Sequence, residues 1–152
     1  MTDKRLIVIA DPHLGVVPGD VEMMNRFIGT LNPVEDDLLF LGDMFHIWAG
    51  PEKYHTPPVR EVLESLKGYR AGGGLVYLIA GNRDVFLSGH PENKRLEHLP
   101  FDAIFPDYGI VKLGSHDVMV VHGDTVNQQY VRYLKWRRIV RHPLFERFFD
   151  LL

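Results

Sequence analysis

The sequence predicts an α/β fold in which a parallel sheet is flanked by helices. Three observations carry that expectation. Short apolar runs of strand length recur at residues 5–10, 38–42 and 75–80, and each is followed at once by Asp, Gly or Asn. Helix-spaced apolar positions fill the intervals between them. The resulting order, strand–helix–strand–helix–strand, is that of successive parallel crossovers.

The elements follow in order. Arg5-Leu6-Ile7-Val8-Ile9-Ala10 reads as the first strand, and residues 11–20, with two Pro and two Gly, as a loop. Asp20 is expected to cap a helix whose inward face is Met23, Met24, Phe27, Ile28 and Leu31. Asn32-Pro33 stops it. Residues 38–42 form the second strand. The connector 44–58 is rich in large side chains: Phe45, Ile47, Trp48 and Tyr54. Thr56-Pro57-Pro58 opens a second helix, with Val59, Val62, Leu63 and Leu66 inward, and Ala71-Gly72-Gly73-Gly74 ends it. Residues 75–80 make the third strand. Residues 87–98 are expected to be a short helix or irregular, and 103–105 a brief strand. The runs 110–113 and 117–121 flank Gly114-Ser115-His116 and read as a hairpin. From Val126 the pattern turns helical, and His142-Pro143 splits it in two.

Length and composition narrow the class. The chain has 152 residues, 45% hydrophobic and 24% charged, which suits one globular domain rather than a disordered chain. A net charge of -3 argues against a nucleic-acid partner. With no cysteine, disulfides and thiolate metal sites are excluded. The first apolar run is too short for a signal peptide, and no run approaches a membrane span, so the expected compartment is the cytoplasm. The charge is uneven. Residues 1–126 carry 11 Lys and Arg against 18 Asp and Glu, net -7; residues 127–152 carry 6 against 2, net +4. A basic, aromatic, amphipathic tail on an acidic body fits a membrane surface or an anionic substrate, and equally a solvated helix face.

The chemistry-bearing residues sit at strand ends. Asp11-Pro12-His13, Gly42-Asp43, Gly81-Asn82-Arg83-Asp84 and His122-Gly123-Asp124 each follow an apolar run. Asp11-Pro12-His13 or Gly42-Asp43 alone is ordinary turn chemistry, whereas Gly81-Asn82-Arg83-Asp84 is more specific, because Arg83 followed by Asp84 suits binding a phosphate. Four of them at the carboxyl edge of one sheet, where open α/β sheets bind ligands, describe a site. Carboxylate, amide and imidazole donors without thiolate suit Mn²⁺, Mg²⁺, Fe or Zn²⁺. Several carboxylates with His from different strands suit two ions roughly 3.5–4 Å apart, an arrangement that stabilises in-line displacement at phosphorus.

These motifs resemble, in order, those of the calcineurin-like metallophosphoesterases, over most of the chain up to residue 124. The resemblance implies that superfamily's sandwich of sheets flanked by helices, with 1–126 as the N-terminal part of the core and 127–152 as the start of a helical cap. Asp11 and His13 would bind one ion, Asp43 would bridge two, and Asn82 and His122 would bind the second, with Mn²⁺ the first expectation. Arg83 would contact substrate phosphate, Asp84 would order the Asn82-Arg83 loop, and Asp124 would touch a sugar nucleotide. Three details are similar to the subfamily that cleaves the pyrophosphate bond of UDP-2,3-diacylglucosamine in lipid A biosynthesis. They are Arg83, the stretch Gly42-Asp43-Met44-Phe45-His46-Ile47-Trp48, and His122-Gly123-Asp124-Thr125 leading into a basic aromatic segment. That resemblance implies UMP and an acylated sugar phosphate as products, with acyl chains, or the inner face of a membrane, against 127–152.

The chain also departs from the family. It holds no Gly-His-x-His motif, and its other histidines, His46, His55, His90, His98, His116 and His142, read as surface or loop residues. A C-terminally incomplete core is the expectation, with a sheet edge left open to self-association. Two other readings stay open: a metallophosphoesterase for another phosphodiester or nucleotide, and a non-catalytic fragment without a complete metal site.

Overall fold

The computed structural model of the protein describes residues 4–88, 90 and 92–150. In chain order the elements are β1 (Arg5–Ile9), α1 (Asp20–Thr30), β2 (Asp36–Phe40), β3 (Trp48–Ala49), a 3-10 turn (Glu52–Tyr54), α2 (Pro57–Ala71), β4 (Val76–Ile79), β5 (Asp84–Val85), β6 (Ala103–Phe105), β7 (Tyr108–Leu113), β8 (His116–Val121), α3 (Val131–Val140) and α4 (Pro143–Asp150). β1, β2, β4 and β6 form one all-parallel sheet in that spatial order. β7 and β8 pair antiparallel, as the hairpin reading expects.

Alternation along the central strands decides the layers, because successive side chains of a strand face opposite sides. Leu38, Phe40, Val76 and Leu78 turn to one face and join Ile28 of α1 and Val59, Val62, Leu63 and Leu66 of α2 in the main core. Leu39 and Ile79 turn to the other face and pack with Val111 of the hairpin. The two expected helices therefore share one face, and the hairpin covers the other. The carboxyl ends of β1, β2 and β4 are left at one rim, and the tail helices approach that rim through arginine contacts described below.

Several expectations need correction. Asp20 does not cap α1. Gly19 holds that position in the left-handed region at φ 86°, and the Asp20 carboxylate instead accepts the backbone N–H groups of Gly15, Val16 and Val17 at 2.9–3.0 Å, tightening the loop before the helix. Met23 and Phe27 are exposed, not inward. The connector 44–58 is not a plain loop: β3 pairs parallel with β5, which ties it to the Asn82-Arg83-Asp84 segment. Helix resumes at Val131 rather than near Val126. No helix among the described residues is long and apolar enough to cross a membrane.

His55 is also not a surface residue. It is buried, lies 2.9 Å from the Gly50 carbonyl, and its ring sits 5.1 Å from that of His98. Burial pushes His55, His90 and His98 below the ordinary imidazole value of 6.5. The unfolded chain takes up these protons near that value and the folded chain resists them. The stability involved is complete above pH 6.5 and is lost as pH falls below it toward the depressed folded values. The urea midpoint is expected to be lower at about pH 5.5 than at about pH 7.5, and His55→Gln to shrink the difference. Equal pH dependence in both proteins contradicts the assignment.

The sheet itself sets a second expectation. Leu78 has no exposed surface and packs in the main core. Leu78→Ala is expected to cost about 2–5 kcal/mol in urea unfolding. A loss below about 1 kcal/mol would show that the site can collapse around the missing methyls.

Candidate metal centre

The three loops leaving β1, β2 and β4 are knitted together before any ligand is considered. His13 N–H donates to the Asp43 carbonyl at 3.1 Å and Leu14 N–H to the Met44 carbonyl at 3.1 Å, so the first two loops run on as a parallel pair past the sheet. Asp84, 2% exposed, accepts the Asp43 N–H at 2.7 Å, the Gly81 N–H at 2.8 Å and the Trp48 indole N–H at 2.6 Å. One buried carboxylate thus joins the second loop, the third loop and β3. Burial pushes this carboxyl group upward, and the Gly81, Trp48 and Asp43 donors pull against that.

Glycine makes the approach close enough. A side chain at Gly42 would meet His122 Nδ1 at 2.5 Å and Gly81 Cα at 2.8 Å, and one at Gly81 would strike Asp43 Oδ1. Gly42 also has φ 85°. Asp11, His13 and Asp43 adopt positive φ of 48°, 46° and 50° without being glycine. Such conformations cost roughly 1–2 kcal/mol each and persist where the surroundings enforce them, commonly at functional sites.

Three of the four motifs leave the parallel sheet, but the fourth does not, contrary to the one-sheet expectation: His122 follows β8 of the separate hairpin sheet, and the end of that strand brings it to the same place. Asp11, His13 and Asp43 present donor atoms that all lie within 4.8 Å of one another. His13 Nε2 is 3.8 Å from Asp43 Oδ2; His122 Nε2 is 3.8 Å from Asp43 Oδ1 and 3.4 Å from Asn82 Oδ1; His122 Nδ1 is 3.9 Å from Asp11 Oδ1. His122 Nδ1 is also 2.6 Å from the Leu41 carbonyl, which can only accept. That bond puts a proton on Nδ1, and in the neutral ring the Nε2 lone pair then faces Asp43 and Asn82. Carboxylate, amide and imidazole atoms that converge in this way suit a cation. His13 Nδ1 is buried with no hydrogen-bond partner among the described residues. The donor set, two carboxylates, an amide oxygen and two imidazoles, fits a hard or borderline divalent ion.

Arg83 stands at the rim of this cluster. Its backbone N–H donates to Asp43 Oδ1 at 2.9 Å, its Nε lies 3.6 Å from Asp43 Oδ2, and its Nη1 donates to the His46 carbonyl at 3.0 Å. The side chain is 35% exposed, so its fork is held in place while one face stays open to an anion. His46 itself is exposed and contributes through its carbonyl.

Asp124 is placed differently from the other site residues. Its Oδ2 accepts from the Tyr133 hydroxyl and from Arg137 Nε at 2.7 Å. Burial works to raise its carboxyl group, but Tyr133 and Arg137 outweigh that and hold it below the usual range. Its visible work is to dock α3. Tyr133, Arg137 and Arg141 join the rim with no motif to announce them, and Trp48, which closes the 42–48 stretch, does so through its bond to Asp84. Arg137 and Arg141 are four apart, so they share a helix face, and that spacing is the one signal available in the sequence.

The chain matches the calcineurin-like phosphoesterase family model over residues 4–150, and it belongs to that family. Divalent metal ions go with the family, and the Asp11, His13 and Asp43 cluster fits one. The chain is 33% identical over 144 residues to the UDP-2,3-diacylglucosamine hydrolases of Yersinia pseudotuberculosis serotype O:1b (strain IP 31758) and Yersinia pestis bv. Antiqua (strain Angola), covering 94% of this chain. It spans 58% of the length of those relatives. A solved structure of a protein of unknown function from Aquifex aeolicus shares the fold, with TM-score 0.52 and 22% identity over 88% of this chain and 69% of that one.

Asp84→Asn tests the framework. The amide presents an NH₂ group to at least one of three N–H donors, with an expected loss of about 1–3 kcal/mol in urea unfolding. Faster hydrogen exchange at the Asp43 and Gly81 amides is expected with it. Unchanged exchange at both would contradict the role of Asp84.

Proposed function

We propose that the chain carries the dimetal phosphoester-hydrolysing centre of a pyrophosphatase acting on UDP-2,3-diacylglucosamine, releasing UMP and 2,3-diacylglucosamine 1-phosphate. The observation that supports this most is the convergence of Asp11, His13, Asp43, Asn82 and His122 beside a half-open Arg83. In this reading Asp11 and His13 hold one ion, Asp43 both, and Asn82 and His122 the second; Mn²⁺ is the first choice, with Mg²⁺, Fe and Zn²⁺ of the same donor preference. When bound, such ions supply a nucleophile at neutral pH and neutralise charge at phosphorus. The chain's own residues do the rest. The Leu41 carbonyl holds the His122 tautomer, Asp84 fixes the Asp43 and Gly81 backbone, and Arg83 takes a phosphate oxygen pair with its planar fork. Asp124 touches the sugar nucleotide only through whatever its Tyr133 and Arg137 bonds leave free.

The tail supports the lipid part of this proposal. Trp136, Ile139, Leu144, Phe148 and Phe149 are exposed, alongside exposed Arg132, Lys135, Arg138 and Arg147. An apolar and cationic surface of that kind fits acyl chains or the anionic inner face of a membrane. Residues 127–152 would then be the start of a cap on a core formed by 1–126, in a cytoplasmic protein resting on that face. The open sheet edges, where β1, β6, β7 and β8 each have a partner on one side only among the described residues, are where a second copy would associate.

Mn²⁺ titration and a UMP-release assay test the reading together. Binding that Asp43→Ala abolishes is expected. Release from the acylated UDP-sugar at least about tenfold faster than from the deacylated one is expected as well, since apolar contacts discriminate on that scale. Equal rates favour another phosphoester substrate. A folded chain that binds no ion at millimolar Mn²⁺ contradicts the proposal and favours a non-catalytic module.

A further inference from the structure

We infer that Arg141 is a positioning residue for the metal centre, latching the end of α3 to the backbone from which Asn82 projects. The inference rests on the metal-centre reading above. Arg141 Nη2 donates to the Ala80 carbonyl at 3.0 Å and to the Gly81 carbonyl at 2.6 Å, and Nη1 donates to the Pro106 carbonyl. Ala80 and Gly81 are the two residues that follow β4 and precede Asn82; Pro106 follows β6, the strand paired with β4. One guanidinium therefore bridges the carboxyl ends of two neighbouring strands. Gly81 is held at both of its peptide groups, its N–H by Asp84 at 2.8 Å and its carbonyl by Arg141 at 2.6 Å. With both fixed, Asn82 leaves the strand in one direction, the one that puts its Oδ1 3.4 Å from His122 Nε2.

The contacts are not those of a general docking charge. Docking of the tail already has Arg137, which donates to Asp124 and Asp107 at 2.7 and 2.6 Å, and Arg95, which donates to Glu146 at 2.8 Å. Arg141 spends its donors on three neutral carbonyls, and its nearest carboxylate, Asp107, is 3.7 Å away and shared with Arg137. Its side chain is only 15% exposed. A planar fork can bridge three carbonyls that a lysine ammonium, a single point charge, would hold less well. Partners that orient metal ligands from behind typically change metal affinity by about 10–100-fold when removed.

The test is the Mn²⁺ affinity of the whole chain, measured by calorimetry for wild type, Arg141→Ala, Asn82→Ala and the double variant, with the urea midpoint recorded for each. Arg141→Ala is expected to weaken binding at least about tenfold, and to add no further loss once Asn82 is alanine. Arg141→Lys is expected to recover part of the loss; should the alanine variant fail to fold, the lysine variant is read in its place and is expected to bind severalfold more weakly than wild type. Wild-type affinity in a folded Arg141→Ala protein overturns the latch, and so does an equal loss with and without Asn82, which would make Arg141 a general strut. A wild-type chain that binds no Mn²⁺ overturns the metal-centre reading and the latch with it, whereas normal wild-type binding with an unaffected variant overturns the latch alone.

Discussion

The buried carboxylate of Asp84 is the constraint on which the rest of the site depends. Three loops that leave parallel strands would otherwise diverge, because nothing in a parallel sheet holds its strand ends together once the ladder stops. Asp84 collects N–H groups from two of them and from the Trp48 indole. The first loop is then carried along by its backbone bonds to residues 43 and 44. Burying a carboxylate is costly unless its oxygens are satisfied, and here the donors that satisfy it are the site framework itself.

The charge asymmetry of the chain acquires a local meaning at the same rim. The acidic body places Asp11 and Asp43 at that rim with Asp84 buried behind them, and the basic tail meets it through Arg137 and Arg141. Arg137 pairs with Asp107 and Asp124 and also donates to the Pro106 carbonyl, whereas Arg141 donates to three backbone carbonyls with Asp107 3.7 Å away. The exposed cations of the tail, Arg132, Lys135, Arg138 and Arg147, lie among exposed apolar side chains rather than against the core. One helical segment thus faces the metal-centre framework on one side and an amphipathic surface on the other.

The parallel sheet and the residues that converge at its carboxyl edge were legible because both are local statements. An apolar run of strand length followed by Asp-x-His, Gly-Asp or Gly-Asn-Arg-Asp carries its own direction and its own end. The hairpin was legible from Gly114-Ser115 between two alternating runs. What stayed hidden depends on partners distant in sequence. A two-residue strand such as β3 or β5 has no period to read, and exists because Trp48 and Asp84 meet. Asp20 has the right chemistry for a helix cap and uses it on the preceding loop instead. His55 looks like a loop residue until Gly50, Trp48 and His98 close around it. The work of Arg141 follows from β4 and β6 being neighbours, which no spacing announces.

In the function proposed here, the carboxyl edge of the sheet holds divalent ions between Asp11, His13 and Asp43 and beside His122. Anomalous diffraction at the manganese edge, from crystals soaked in Mn²⁺, tests it most directly. The strongest anomalous peak is expected within bonding distance of the Asp43 carboxylate, flanked by His13 on one side and His122 on the other. Peaks confined to surface carboxylates away from that rim, with the Asp43 side chain unliganded, would contradict it.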